Sequence, residues 1–207
     1  MIYISIAIVA FYAGIFVHPA LHSKTRMLAT LDSLIVLAVL GLLSFSLLPH
    51  TFEESGILGG LGIGIGFGVT FALDRFSNAT QKNTRPWALL LVLGALLIHA
   101  VFDGAALALP EHHQVDASHG VVIGVLLHKL PMGMVVHHLL GPKLKLPILV
   151  ATIISVCTVL GFVFADQLLD KSPEQAQHIL EAFIIGMLIQ VVVAHVGTLN
   201  KLVRPFE

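Results

Sequence analysis

The sequence predicts an all-α membrane protein, a polytopic bundle of seven transmembrane helices with the N-terminus outside and the C-terminus cytoplasmic. Three observations carry that prediction. The 207 residues are 57% hydrophobic and only 11% charged, where a soluble domain carries about 25% charged residues. The apolar residues fall in blocks of about the 20 residues a helix needs to cross the hydrocarbon core. They do so without the period-2 alternation of an outer-membrane barrel. Finally, the basic residues gather in alternate connections, as the orientation rule for membrane helices requires.

The blocks, in order, are 1–20, 31–49, 56–75, 86–109, 119–140, 146–168 and 177–199. The first lacks a basic start and runs long enough to span, so it reads as a helix rather than a cleavable leader. The second ends in the polar segment LLPHTFEESG, Leu47–Gly56. The third opens with GILGGLGIGIGFG, Gly56–Gly68. Such glycines let membrane helices pack closely, or offer a surface on which neighbours slide. The longest polar break, DRFSNATQKNTRP (Asp74–Pro86), parts three spans from four. The remaining connections are short, so residues 1–207 read as one domain.

Lys24, Arg26, Arg75, Lys82, Arg85, Lys143, Lys145, Lys201 and Arg204 all fall on one side, nine of the 11 Lys and Arg. Only Lys171 lies in an opposite connection, and Lys129 lies within a span. The opposite connections carry Glu53, Glu54, Glu111, Asp116, Asp166, Asp170 and Glu174. The lone cysteine, Cys157, excludes an intrachain disulfide. Nothing in the chain supports a redox or nucleic-acid role.

Against this background, polar residues at mid-span are conspicuous, because a charge near the bilayer centre costs a few kcal/mol or more and faces a partner or a watery path. His99 and Asp103, in IHAVFDGAAL, stand four apart and share a helical face. His128 and Met132 repeat that spacing in the next span, with Pro131 between them removing a backbone donor. Two imidazoles and a carboxylate supply N, N and O ligands suited to zinc, with iron and manganese following. The bland reading is that His99 and Asp103 only bridge helices by hydrogen bonds; matched pairs in consecutive spans favour a metal. Met132 offers a soft thioether but reads as an ordinary filler of apolar gaps, and Cys157 a thiol that reads as a small buried hydrophobe. Lys129 needs a counter-charge, and Asp103 is the nearest in depth. Its fixed positive charge would repel a second cation, so a single loosely held ion is expected.

The pairing of HAVFDGAALA (His99–Ala108) with HKLPMG (His128–Gly133) resembles the ZIP family of metal-ion transporters. His99, Asp103 and Gly104 match the family's His-x-x-x-Asp/Glu-Gly pattern in the fourth span. His128, Lys129 and Pro131 match His-Glu/Lys-x-Pro in the fifth. LLPHTFEESG also looks like the family's acidic segment at the outer end of span two. The resemblance implies a helical bundle that imports zinc, iron or manganese, often as a homodimer, in the cell or plasma membrane. In two-metal members the fifth span carries acids where this chain has Lys129 and Met132, so Lys129 replaces the second site. Some members add a mid-depth carboxylate in span six, where this chain has only Ser155 or Cys157 near that depth. Seven spans stand against the family's usual eight.

Depth ordering draws a route. An entrance is expected at His50 and Glu53, with Glu54, Glu111, His112, His113, Asp116 and His119 nearby and His178 on the same side. Glu181 reads as a helix-start carboxylate. An exit is expected at His137, His138, His195 and His18. The expected partners are a divalent metal ion and the bilayer, with no nucleic acid and no required cofactor. The rival readings are an intramembrane zinc hydrolase of lipids or amides, which would need a His-x-x-x-His pair in a late span, and a metal-binding protein that transports nothing.

Overall fold

The computed structural model describes residues 2–21, 25–81, 86–112, 116–141 and 144–203, and all of them are helical apart from short turns. The elements are α1 (Ile2–Leu21), α2 (Thr25–Leu42), a π-helical segment (Leu43–Leu47), α3 (Leu48–Gln81), α4 (Pro86–His112), α5 (Asp116–Leu140), α6 (Lys145–Leu169) and α7 (Glu174–Val203). Among the described residues, four stretches are long and apolar enough to cross a membrane: Ser33–Leu73, His119–Leu140, Lys145–Leu169 and Gln175–Ala194. Ile2–Val17 and Leu93–Leu109 are shorter apolar helices.

Ser33–Leu73 runs 41 residues, about 60 Å at 1.5 Å per residue and twice a hydrocarbon core. It includes the connection expected between the second and third blocks. That connection is not a loop, because His50–Ser55 contains no glycine or proline and continues as helix. The chain turns instead at Gly56, whose φ of 52° and ψ of −128° interrupt α3. A side chain there would be strained, which is why glycine marks the bend. Just before it, the π-helical segment widens the helix by one residue per turn.

Three helix pairs form the framework, and each closes on small residues. In α1 and α5, a methyl added at Gly14 would sit 3.0 Å from the Gly133 Cα. In α4 and α6, one at Gly104 would sit 2.7 Å from the Phe162 amide nitrogen. In α3 and α7, one at Gly62 would lie 2.9 Å from the Ala182 Cβ, and Gly186 packs on Ile63. Such contacts let backbones approach where burial of oil in oil contributes little. The glycine run of α3 is thus divided: Gly62 and Gly66 pack on α7, while Gly64 and Gly68 face open space.

The surface is apolar where a soluble protein's is polar, and charged side chains lie inside. Phe45, Ile57 and Ile2 are 89%, 84% and 71% exposed, whereas Asp103, His128, Lys129, Glu181 and Gln190 are buried. An apolar exterior, with the buried charges set in a largely apolar core, fits a lipid solvent. α5 is the most enclosed candidate span and Ser33–Leu73 the least, 67% against 22% buried. α5 therefore brings its histidines and lysine to the middle of the bundle, and it stays helical through Pro131.

Candidate metal centre

α4 supplies His99 and Asp103 one helical turn apart, and α5 supplies His128 and Lys129. The i,i+4 spacing stacks His99 on Asp103, with His99 Nε2 3.5 Å from Asp103 Oδ1. His128 Nε2 approaches the same oxygen at 3.4 Å, and the two imidazole Nε2 atoms are 3.4 Å apart. The three donors form a nearly equilateral triangle. Donors on a tetrahedral zinc at 2.0–2.1 Å would stand about 3.3–3.4 Å apart. The side chains are thus spaced for one ion with a fourth position open, and Asp103 and His128 are buried. The rings of His99 and His128 meet edge to face, at 80° with centroids 5.5 Å apart.

The orientation of His128 has a local cause. Its Nδ1 lies 3.2 Å from the carbonyl oxygen of Gly124, one turn earlier in α5. An Nδ1–H donated there leaves the lone pair on Nε2, the atom that faces the triangle.

Lys129 occupies the other side of Asp103. Its Nζ is 2.7 Å from Asp103 Oδ2, donates towards Thr158 Oγ1 at 3.4 Å and lies 5.8 Å from the centre of the Phe11 ring. Asp103 therefore divides its carboxylate, Oδ1 to the imidazoles and Oδ2 to the ammonium. Thr158 is held in turn by donating to the Ile154 carbonyl at 3.1 Å, on the stretch of α6 that Gly104 approaches closely. With both imidazoles neutral, the cluster carries no net charge, since Lys129 balances Asp103. An arriving divalent ion meets ligands but little net attraction, which favours weak, reversible binding.

The other expected donors sit elsewhere. Met132 is buried in a core with Phe11, Ile15, Val136 and Ile154, and Cys157 packs on the same cluster. The Cys157 thiol is not grouped with His99, Asp103 and His128, the one group of His, Cys, Asp or Glu whose ligand atoms all lie within 4.8 Å among the described residues. Ser155 is buried in α6, its hydroxyl without a hydrogen-bond partner among the described residues. Of the expected exit residues, His137 is buried and His138 exposed in the last turn of α5; the side chains of His18 and His195 lie outside the described residues. So do the side chains of Glu111, His112 and Asp116, and all of His113. His119 meets the Tyr3 ring edge-on at 6.4 Å.

At the expected entrance, Glu53 is exposed, while His50 Nε2 lies 3.5 Å from Glu54 Oε1. Glu181 is corrected: it is not at the start of its helix but seven residues into α7, and only 5% exposed. Sequence reasoning missed Thr158 and Gln190 as buried polar residues. Gln190 had a signal, a lone amide in the apolar run IIGMLIQVVVA; Thr158 had none, because threonines are common in apolar helices.

Compared with family models, curated proteins and solved structures, the chain matches none.

Proposed function

We propose that this chain is a ZIP-type transporter that moves a divalent transition metal, zinc foremost, towards the cytoplasm. The observation that carries the reading is the His99–Asp103–His128 triangle, with edges of 3.4–3.5 Å, enclosed between two apolar helices. Iron and manganese suit the same N and O donors. The ion is the cargo, and His99, Asp103 and His128 hold it midway.

Seven spans fit the helices. Gly56 divides Ser33–Leu73 into two legs, and α1 and α4, at 20 and 27 residues, are long enough when taken whole. With the basic residues on one side, the N-terminus lies outside and the chain sits in the cell or plasma membrane. His50 and Glu53 stand at the outer mouth, and His137, His138, His195 and His18 at the inner end. Lys129 takes the place of a second ion beside Asp103. Weak ligation suits passage, since an ion must leave as well as enter. Rocking of helices about the fixed triangle would open it to each side in turn. The glycine crossings between α1 and α5, and between α3 and α7, give backbones on which such movement needs little repacking.

Purified protein reconstituted in vesicles tests this. Zinc uptake should fall at least tenfold in both Asp103→Ala and His128→Ala. Uptake equal to the parent protein in both variants refutes the assignment.

A further inference from the structure

A second group of ionisable side chains lies away from the triangle, where α3 and α7 begin. His50 Nε2 is 3.5 Å from Glu54 Oε1. Glu54 reaches across to α7, where its Oε2 lies 3.1 Å from His178 Nδ1. His178 Nδ1 is in turn 4.0 Å from Glu181 Oε2. Two helices thus bring two imidazoles and two carboxylates into one chain of contacts.

Two further observations show that this chain is incomplete. Glu181 is only 5% exposed, yet its Oε1 has no hydrogen-bond partner among the described residues. A buried carboxylate in that condition is costly unless it holds a proton or meets a cation. A cavity of about 300 Å³ opens between the same two helices, lined by Glu54, Ser55, Leu58, Gln175, His178 and Ile179; His50 and Glu181 are not part of its lining. It has room for an ion with its water. The protein has not filled the space with apolar side chains.

The position is distinct from the central triangle. Leu47, three residues before His50, packs on Gly120, and Leu42 packs on Gly124. α2 with its π segment therefore runs antiparallel to α5, and His50 lies near the outer end of that helix. His128 is eight residues deeper than Gly120, so the two groups are separated by about 16 Å along the helix axes.

We propose that His50, Glu54, His178 and Glu181 form a second divalent transition-metal site with mixed imidazole and carboxylate ligation. Successive donors stand 3.1, 3.5 and 4.0 Å apart along a chain; unlike the central triangle they are not all mutually close, so a bound ion would draw them together. Glu54, with 34% of its side chain exposed, is free to turn and close the set around the ion. Glu181 supplies the buried anchor and the histidines the preference for a transition metal over calcium or magnesium. The site binds whether or not the central triangle transports.

The test uses the full chain, purified in detergent and stripped by chelation. Zinc stoichiometry is measured by equilibrium dialysis, and cobalt(II) absorption reports ligation at each site. The parent protein should bind two ions. His99→Ala/His128→Ala should keep one, with cobalt bands of its own, and adding Glu181→Gln should abolish it. Glu54→Gln, at a half-exposed position that leaves the core untouched, should reduce the parent from two ions to one. If the His99→Ala/His128→Ala protein binds no ion, or Glu54→Gln and Glu181→Gln both still bind two, the outer site is overturned. Neither of those results bears against the central triangle. Its own failure shows instead as unchanged stoichiometry and uptake in His99→Ala/His128→Ala.

Discussion

Asp103→Ala removes the carboxylate facing an ammonium that is only 2% exposed. Lys129 is then left with the Thr158 hydroxyl at 3.4 Å, long for a hydrogen bond, and the face of Phe11 at 5.8 Å. That ring contributes about 0.5–2 kcal/mol, well below what a stranded buried charge costs. Breaking one half of a buried pair costs about 3–5 kcal/mol, and Asp103→Ala is expected in that range. Lys129→Met strands the buried Asp103 carboxylate in turn and is expected in the same range, about 3–5 kcal/mol. Asp103 then keeps only His99 and His128, at 3.5 and 3.4 Å, as neighbours. With both charges gone, Asp103→Ala/Lys129→Met should recover most of the loss and leave about 1–2 kcal/mol for the cavity. The two sites should therefore couple by at least about 2 kcal/mol. Reversible unfolding in mixed detergent–SDS micelles, followed by far-UV circular dichroism, measures all three variants. A double variant that loses the full sum of the single losses would show that Lys129 does not rely on Asp103.

The same titration with and without zinc reads the central site. At a hundred times its dissociation constant, one bound ion stabilises the parent by about 2.7 kcal/mol. His99→Ala and His128→Ala should forfeit most of any gain that comes from the triangle, whereas Met132→Leu should keep it, because Met132 packs in the core around Phe11. The glycines should divide by position. Gly133→Ala drives a methyl into the Phe11 carbonyl on α1 and should cost about 1–3 kcal/mol. Gly64→Ala meets nothing within 4 Å and should be neutral or favourable by up to about 1 kcal/mol.

The pairs within one helix were readable before any fold was known. His99 with Asp103 is a spacing of four, and a helical block converts that directly into a shared face. The matching of α4 with α5 was also readable, since polar residues at mid-depth in consecutive apolar blocks have few places to go. The break between the second and third blocks was misplaced in kind, because its polar letters suggest a loop while its backbone preferences allow helix up to Gly56. Glu181 was misread for a related reason. A carboxylate near the start of a block looks like a helix-start charge until the helix is seen to begin seven residues earlier.

Taken alone, the sequence determined that the chain is helical, that it partitions into lipid, and which side chains are too polar for their depth. These are local properties, set by composition and by a period of 3.6 residues. The tertiary structure decided how Asp103 shares its two oxygens, why Thr158 stands beside Lys129, and that Glu54 of α3 meets His178 of α7. Those contacts depend on each helix's rotation and vertical register. Helices apolar all round carry no stripe from which rotation can be read, so it is settled where glycines let two backbones touch.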